Sequence, residues 1–300
     1  MTTEIYVEKR NGQMELLDND KINKVVVWAV EGLDDVSASQ VLMKAHLGIV
    51  DGIKTKDVHR TLVKSAADLI TEDTPNYQYV AARLSMFAVR KESYGRFTPP
   101  ILHDHVVKLV ASGHYDKGLL EDYSIDDFKV MQSFIDHERD LNLAYAATVQ
   151  MEGKYLVQNR VTKEIFESPQ MLYILVAASL FSRYDKSERM SYVKRFYDAA
   201  SMLKISLPTP IMAGVRTPTR QYSSCVLIEA GDSLDSINAA SSAVIKYVSQ
   251  RAGIGLNAGA IRALGSPIRG GEAFHTGCIP FYKHFQTATK SCSQGGRSEE

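Results

Sequence analysis

Alternating apolar and polar residues open the chain, and a helical pattern follows them. Ile5 and Val7 alternate with polar neighbours, Asn11-Gly12 is a two-residue turn signal, and residues 14–17 return as a second strand, so the segment predicts a β-hairpin. After Asp20, apolar residues recur at helical spacing. A two-stranded hairpin is marginal alone, so we expect this helix to cover it.

Two more helices are predicted before the chain reaches Gly95. Thr55 is the expected N-cap of one, and Thr74-Pro75 is the expected start of the other, because proline fits the first turn of a helix. Asp18-Asn19-Asp20 supplies cap candidates for the helix after the hairpin. The prolines of Phe97-Thr98-Pro99-Pro100 disfavour helical geometry in the residue before them, so we place a domain boundary there.

Residues 101–201 are mainly helical in pattern, with a hairpin predicted at 154–166. Buried or half-buried helices are expected at 171–181 and 188–203.

Short apolar strands dominate after residue 204. We predict strands at 204–207, 223–229 and 253–257, with a helix at 235–250 between the last two. Strand, helix and strand in this order indicate a parallel β/α unit.

The composition is that of a globular protein of two or three domains, with 300 residues, 45% apolar and 23% charged. Lys plus Arg and Asp plus Glu both number 35, so no overall charge attracts nucleic acid or an anionic membrane, and neither is an expected partner. Any phosphate binding must be local. The longest apolar-rich run, 171–181, is too short to span a bilayer, and the first residues lack a signal-peptide pattern, which favours a cytoplasmic location.

The three cysteines, Cys225, Cys278 and Cys292, are odd in number and lack C-x-x-C spacing, which argues against a disulfide scaffold and a structural zinc site. Alternation in the strand around Cys225 favours the ordinary role of a buried small hydrophobe. The pair in His103-Asp104-His105 suggests metal ligation, but the sequence offers no further ligands at suitable spacing, so we favour a structural role and expect no metal.

Local positive charge suggests phosphate binding in two places. Lys9-Arg10-Asn11-Gly12 and Lys21 surround a hairpin turn and a helix N-terminus, although residue types alone favour a solvated hairpin tip. His59 and Lys91 could close over the same nucleotide or lie on the surface. The glycine- and arginine-containing segment 262–271 is equally compatible with a nucleotide-binding loop and with a plain surface connection.

Longer motifs resemble the large (alpha) subunit of class I aerobic ribonucleotide reductases, along nearly the whole chain. The matching segments are Val7–Gly12 with Asp20-Lys21-Ile22, Tyr155–Arg160, Ser206–Pro210, Gln221–Leu227, Gly231–Ser236 and Arg262–Gly271. The resemblance implies an α+β N-terminal ATP-cone in residues 1–95 and a helical domain in 96–215. It also implies the first part of a ten-stranded α/β barrel in 216–300.

In this family the ATP-cone carries the overall-activity site, where ATP activates and dATP inhibits. The residues that the resemblance assigns to this site are Lys9, Arg10, Glu15, Leu16, Leu17, Asp18, Asn19, Asp20, Lys21, Thr55, His59 and Lys91. Relatives often carry an amide at the position of Asp18, and a carboxylate there repels a triphosphate. Whether dATP inhibits is therefore left open.

The resemblance assigns two further sites. Positions that bind the substrate diphosphate match Thr209, Ser224, Cys225 and Gly253, and Cys225 is also implied as one of two cysteines that reduce the substrate. The specificity site, where a bound nucleoside triphosphate selects the base to be reduced, matches Asp232, Ser233, Leu234, Arg262 and Arg269. A carboxylate suits the effector's ribose hydroxyl, and arginines suit its phosphates.

Large chains of this family are more than twice as long, and this sequence stops within a specificity-site loop. The thiyl-radical cysteine and the second reducing cysteine of the family have no match here. We therefore expect the N-terminal component of a split phage or bacterial large subunit, inactive alone and completed by a C-terminal fragment; a truncated product is the alternative.

The resemblance implies that the completed enzyme reduces ribonucleoside diphosphates to deoxyribonucleoside diphosphates for DNA synthesis. It also implies a small subunit with a diiron-tyrosyl radical, and thioredoxin or glutaredoxin as reductant. Two alternatives stay open: a non-catalytic ATP/dATP-sensing regulatory protein, and an inert remnant of a disrupted gene. The expected location is the cytoplasm, or the host cytoplasm if a phage encodes the chain.

Overall fold

A computed structural model describes residues 5–9, 11–250 and 252–292. The chain divides into two compact units, which meet in sequence between Thr219 and Arg220. Within the described ranges, no helix is long and apolar enough to cross a membrane.

The first unit begins with a small sheet and four helices. Its first elements are β1 (Tyr6–Glu8), β2 (Met14–Leu16), α1 (Asn19–Val30), α2 (Ala38–His46), β3 (Ile53–Lys54), α3 (Thr55–Ala67) and α4 (Tyr77–Tyr94). β1 is the central strand: Val7 faces Glu15 on antiparallel β2 and Ile53 on parallel β3. Gly12 adopts φ +80° in the turn, a conformation that glycine reaches without steric cost. The predicted hairpin is confirmed.

Of the three predicted helix starts, only the cap at Asp18 is confirmed. Asp18 caps α1, since its Oδ1 accepts the N–H of Lys21 at 3.0 Å. Thr55 is instead the first residue of α3, and the N-cap residue Lys54 makes no side-chain cap bond. Thr74 donates its hydroxyl to a preceding carbonyl at 3.0 Å, and α4 starts three residues later.

α4 contributes to two hydrophobic cores. Its buried residues from Tyr77 to Leu84 pack with α1, α2 and α3, whereas Met86 and Val89 pack with the helices that follow. The boundary proposed at Gly95 therefore falls just after a helix that both cores share.

The rest of the first unit is helical. It contains α5 (Leu102–Ala111), α6 (Gly118–Asp122), α7 (Ile125–Phe134), a 3₁₀ helix (His137–Asn142), α8 (Tyr145–Gln150), a π-helical turn (Met151–Tyr155), α9 (Pro169–Phe181), α10 (Arg189–Ser201) and α11 (Thr209–Gly214). α9 is the central helix, because every residue from Pro169 to Ala178 is buried. This confirms the helix predicted at 171–181.

In this unit one strand prediction is confirmed only in part, and another is wrong. The hairpin expected at 154–166 is reduced to one bridge between Gln158 and Ile165, because its first residues belong to the π-helical turn. The strand expected at 204–207 does not form. There the N–H of Lys204 returns to the carbonyl of Ala199 at 2.9 Å, which closes the end of α10.

The second unit contains the predicted parallel β/α unit. Its elements are β4 (Cys225–Glu229), α12 (Leu234–Ser249), β5 (Gly253–Asn257), β6 (Pro267–Ile268), a 3₁₀ turn (Arg269–Gly271), β7 (Ala273–Phe274) and α13 (Ile279–Lys290). β4 and β5 are parallel, with Cys225 facing Gly253 and Glu229 facing Asn257. Among the described residues these two strands form an open sheet, as the beginning of a barrel would.

Candidate functional site

A cavity of about 710 Å³ lies in the first unit, beside the hairpin and between α1, α3 and α4. It brings together nine of the residues assigned to the activity site, namely Lys9, Glu15, Leu16, Leu17, Asp18, Lys21, Thr55, His59 and Lys91. Asn19 and Asp20 are not among the lining residues. Arg10 lies outside the described residues. The basic turn thus forms part of a concave site rather than only a solvated tip.

Positive charge dominates the cavity wall. The cationic side chains are Lys9, Lys21, Lys24, Lys56 and Lys91, against the carboxylates Glu15 and Asp18. Lys9 lies 3.1 Å from Glu15, and Lys21 lies 3.0 Å from Asp18, so two of the lysines are held by neighbouring acids. Such a wall suits a ligand that carries several negative charges.

Asp18 has two local roles before any ligand is considered. One carboxylate oxygen caps α1 through the Lys21 N–H, and the other pairs with the Lys21 ammonium. These contacts, the backbone hydrogen bond first, lower the pKa of Asp18. The Asp18 hydrogen bond and charge raise the pKa of Lys21 in turn. Part of the negative charge that disfavours a triphosphate is therefore compensated inside the protein.

Aromatic rings line the apolar part of the cavity. His59 stacks on Phe87 with ring centroids 5.4 Å apart and an interplanar angle of 29°. Phe87 in turn stacks on Phe97 at 5.3 Å. Leu62 and Val58 add apolar surface from α3. Flat rings beside aliphatic side chains suit a planar base, while the lysines suit phosphates.

Sequence reasoning missed Lys24, Lys56 and Phe87 as cavity residues. Helical spacing could have found two of them. Lys24 follows Lys21 by three residues on α1, and Phe87 precedes Lys91 by four on α4, so each shares a helix face with an assigned residue. Lys56 carries no comparable signal, since it only follows Thr55.

The second unit places the candidate redox thiol at the start of β4. Cys225 is exposed, and a Cβ added at Gly253 on β5 would lie 3.5 Å from its Sγ. The N–H of Gly253 donates to the carbonyl of Ser224 at 2.9 Å, so these three assigned residues are adjacent. Thr209 is the exposed first residue of α11 in the first unit.

The expectation that Cys225 is buried is wrong. Along β4, Cys225, Leu227 and Glu229 are exposed, whereas Val226 and Ile228 are partly shielded. Side chains along β4 do alternate between two faces as predicted, but the Cys225 thiol lies on the open face of the two-stranded sheet. A thiol on that face is accessible to a ligand.

Four of the five residues assigned to the specificity site, Asp232, Ser233, Leu234 and Arg262, lie together. Arg262 donates its backbone N–H to Asp232 Oδ1 and its Nε–H to Asp232 Oδ2, both at 2.8 Å. These contacts, the backbone bond first, lower the pKa of Asp232. Ser233 caps α12, and Leu234 begins that helix with its side chain exposed. Arg269 has φ +52° in the turn that follows β6.

The remaining cysteines and the histidine pair have structural contacts. Cys278 is the N-cap residue of α13, and the Cys292 thiol donates to the carbonyl of Ile245. His105 is buried beside the Tyr115 hydroxyl at 3.4 Å, and burial lowers its pKa to about 4. Across the described ranges, no three His, Cys, Asp or Glu side chains are grouped as metal ligands would be.

Comparison with known proteins gives three family matches in chain order. The ATP cone domain matches residues 5–92, the all-alpha domain of ribonucleotide reductase matches 141–220, and the barrel domain of ribonucleotide reductase matches 223–298. The cavity lies within the first match, and Cys225 lies within the third.

Curated relatives agree with these matches. The chain is 68% identical over 296 residues to ribonucleoside-diphosphate reductase 1 subunit alpha of Escherichia coli, and 66% identical to subunit alpha of Haemophilus influenzae. Each alignment covers 99% of this chain and 39% of the relative. Subunit alpha of Enterobacteria phage T4 is 48% identical, with 97% of this chain and 38% of the relative covered. The chain thus spans about two fifths of its relatives' length, and it belongs to the class I ribonucleotide reductase large-subunit family, whose N-terminal part it matches.

Proposed function

We propose that this chain forms the allosteric and substrate-cradling part of a ribonucleoside-diphosphate reductase large subunit. In this proposal the first unit binds ATP or dATP as an overall-activity effector. The second unit provides one reducing thiol, contacts for the substrate diphosphate and a specificity site for a nucleoside triphosphate. The reaction is the reduction of ribonucleoside diphosphates to deoxyribonucleoside diphosphates for DNA synthesis.

The cavity is the observation that carries the effector proposal. It joins lysines from the hairpin, α1, α3 and α4 to an aromatic wall at His59 and Phe87, inside the segment that matches the ATP cone. The residues fit a nucleoside triphosphate by charge and shape. Lys9, Lys21 and Lys91 would hold phosphates, and the His59 ring would lie against the base.

The pairing of β4 with β5 supports the catalytic proposal. Cys225 is exposed and faces a residue without a side chain, so the thiol has open space beside it. Reduction at the ribose 2′ position converts two thiols into a disulfide and releases water. Cys225 would supply one of these thiols, and the rest of a large subunit would supply the other.

Exposed apolar side chains on the open sheet support completion by further polypeptide. Leu227 is 87% exposed on β4, next to the thiol in the alternating pattern. An open, apolar sheet face is stable when another segment covers it. We propose that the remaining barrel, as a C-terminal fragment or a continuous chain, covers this face. The other proposed partners are a small subunit with a diiron-tyrosyl radical, and thioredoxin or glutaredoxin as reductant, all in the cytoplasm.

Reconstitution tests this proposal. The purified chain would be mixed with the C-terminal part of a related large subunit and its small subunit, and deoxynucleoside diphosphate formation followed with and without ATP. We expect turnover from the full mixture and none from the chain alone. Cys225→Ser should abolish turnover and leave ATP binding unchanged, whereas the matched control Cys292→Ser should keep both.

Two outcomes would favour the alternatives. Tight ATP and dATP binding without turnover in any mixture would support a regulatory sensor. Absence of both binding and turnover would support an inert remnant.

A further inference from the structure

Lys56 lines the cavity, although neither its sequence context nor the family resemblance gave it a role. It is the second residue of α3, and its ammonium lies 3.1 Å from Oε1 of Glu92 on α4. The Lys56 side chain is 41% exposed and that of Glu92 is 18% exposed. The ion pair is therefore partly shielded from water and open toward the cavity on the lysine side.

Glu92 has a second partner that belongs to the other core. Its Oε1, the atom that contacts Lys56, also accepts the backbone N–H of Ile165 at 3.4 Å. Ile165 is buried in the helical core and forms the bridge with Gln158. One carboxylate oxygen thus connects a cavity-lining lysine to a segment outside the ATP-cone match, which ends at residue 92.

A buried carboxyl lies near this connection. Glu152 accepts a hydrogen bond from Ser85, and its backbone carbonyl accepts the Gln158 side-chain amide at 2.7 Å. Burial raises the pKa of Glu152, and the nearby charge of Glu92 acts in the same direction, while the charges of Arg60 and Lys56 act against it. Lys56 therefore lies near two acidic groups, Glu92 and Glu152, that contact residues 158–165.

We propose that Lys56 is a further phosphate-binding residue of the cavity, shared between the effector's phosphates and Glu92. The inference rests on the proposed binding of a nucleoside triphosphate there. An ammonium has three donors on a flexible stem, so it can turn toward a phosphate while its contact with Glu92 weakens. The loss of positive charge beside Glu92 then alters the hydrogen bond from the Ile165 N–H to Glu92. The helical core therefore responds to whether an effector is bound.

Variants of the two residues should change affinity in opposite directions. Lys56→Met keeps the length of the side chain but removes the charge, and we expect ATP with Mg²⁺ to bind about fivefold more weakly, a loss of roughly 1 kcal/mol. Glu92→Gln removes the competing carboxylate but keeps an oxygen for the Ile165 N–H, so ATP should bind about threefold more tightly. An ion pair that only stabilised the fold would give weaker binding in both variants, or no change.

Hydrogen exchange supplies the second measurement on the same full chain. ATP should change the exchange rate of the Ile165 amide in the unmodified protein by severalfold, and Lys56→Met should abolish this response at saturating ATP. The control is Lys117→Met, which breaks an exposed pair with Glu121 at 3.0 Å on α6. It should alter neither affinity nor exchange at Ile165.

The outcomes separate this inference from the proposed function. If the unmodified chain binds ATP but both variants bind it equally well, or the Ile165 amide does not respond, the relay through Lys56 and Glu92 is refuted and effector binding stands. If the unmodified chain does not bind ATP or dATP, both proposals fail together.

Discussion

Arg216 and Glu167 form an ion pair in which both side chains are completely buried. Arg216 Nε donates to Glu167 Oε2 at 2.9 Å, and a second guanidinium nitrogen donates to Oε1. The Arg216 guanidinium also donates to the carbonyls of Met212 on α11 and Tyr155 in the π-helical turn. The pair thus holds α11, which carries Thr209, against the helical core.

Arg216→Met should destabilise the chain strongly. It leaves the Glu167 carboxylate buried without its cation, and removing one partner of a buried pair costs about 3–5 kcal/mol. The free energy of unfolding from urea titration, followed by circular dichroism, measures the effect. Lys117→Met, which breaks an exposed pair, should cost less than about 1 kcal/mol. A similarly small loss for Arg216→Met would contradict a supporting role for the buried pair.

Gly253→Val should shield the Cys225 thiol. A Cβ added at this position would lie 3.5 Å from the Cys225 Sγ, and the two valine methyl groups would extend from it over the open sheet face. Valine also favours strands, so β5 should still form. Alkylation by iodoacetamide, with each cysteine quantified by mass spectrometry, should slow severalfold at Cys225. Cys278 and Cys292 in the same sample are internal controls, and an unchanged rate at Cys225 would show that Gly253 does not govern access.

Local patterns predicted the β-hairpin and the parallel β/α unit because each is encoded by consecutive residues. Asn11-Gly12 specifies a turn, and Gly253–Asn257 follows a well-marked helix. α2 was not predicted, since it has only nine residues, of which Val41 and Ala45 are buried, and so offers a short periodic segment. The segment 204–207 has strand-like residues but, among the described residues, no neighbouring strand to pair with.

For the candidate sites too, the sequence did not show which residues the fold brings together or exposes. Family motifs identified nine cavity residues, but Lys56 became visible only when α3 and α4 were placed around one cavity. Burial of Cys225 could not be decided from alternation, because a period of two gives which residues share a face but not which face is covered. Contacts between distant segments, such as Glu92 with Ile165, have no local signal at all.

His105 should make stability depend on pH. Its ordinary pKa of 6.5 falls to about 4 because burial disfavours the charged ring. Its contribution to stability is therefore fully present above pH 6.5 and is lost as pH falls toward 4, a difference of about 3 kcal/mol. His105→Gln does not titrate, so its unfolding free energy should fall less between about pH 7 and pH 4.5, by roughly 2 kcal/mol.

Two further histidines are needed to interpret the His105→Gln measurement. Burial lowers the pKa of His137 to about 4 as well, so the His105→Gln variant should keep part of the pH dependence. His46 is exposed on α2, and His46→Gln is the matched control for the loss of one imidazole ring. An identical pH profile for His105→Gln and the unmodified chain would show that folding does not lower the pKa of His105.

Asp18→Asn should strengthen nucleotide binding in the cavity. The amide oxygen can still accept the Lys21 N–H and cap α1, while the ion pair with Lys21 and the repulsion toward phosphates disappear. We expect the dissociation constants of ATP and dATP, measured by calorimetry, to fall about threefold. Asp20→Asn is the matched control, because Asp20 carries the same charge in the same turn but does not line the cavity.

Weaker binding in Asp18→Asn alone would instead show that the carboxylate accepts a hydrogen bond from the nucleotide, as it would from a ribose hydroxyl. In that case the family's amide and this chain's carboxylate serve different contacts, and ATP, with its 2′-hydroxyl, should lose more affinity than dATP.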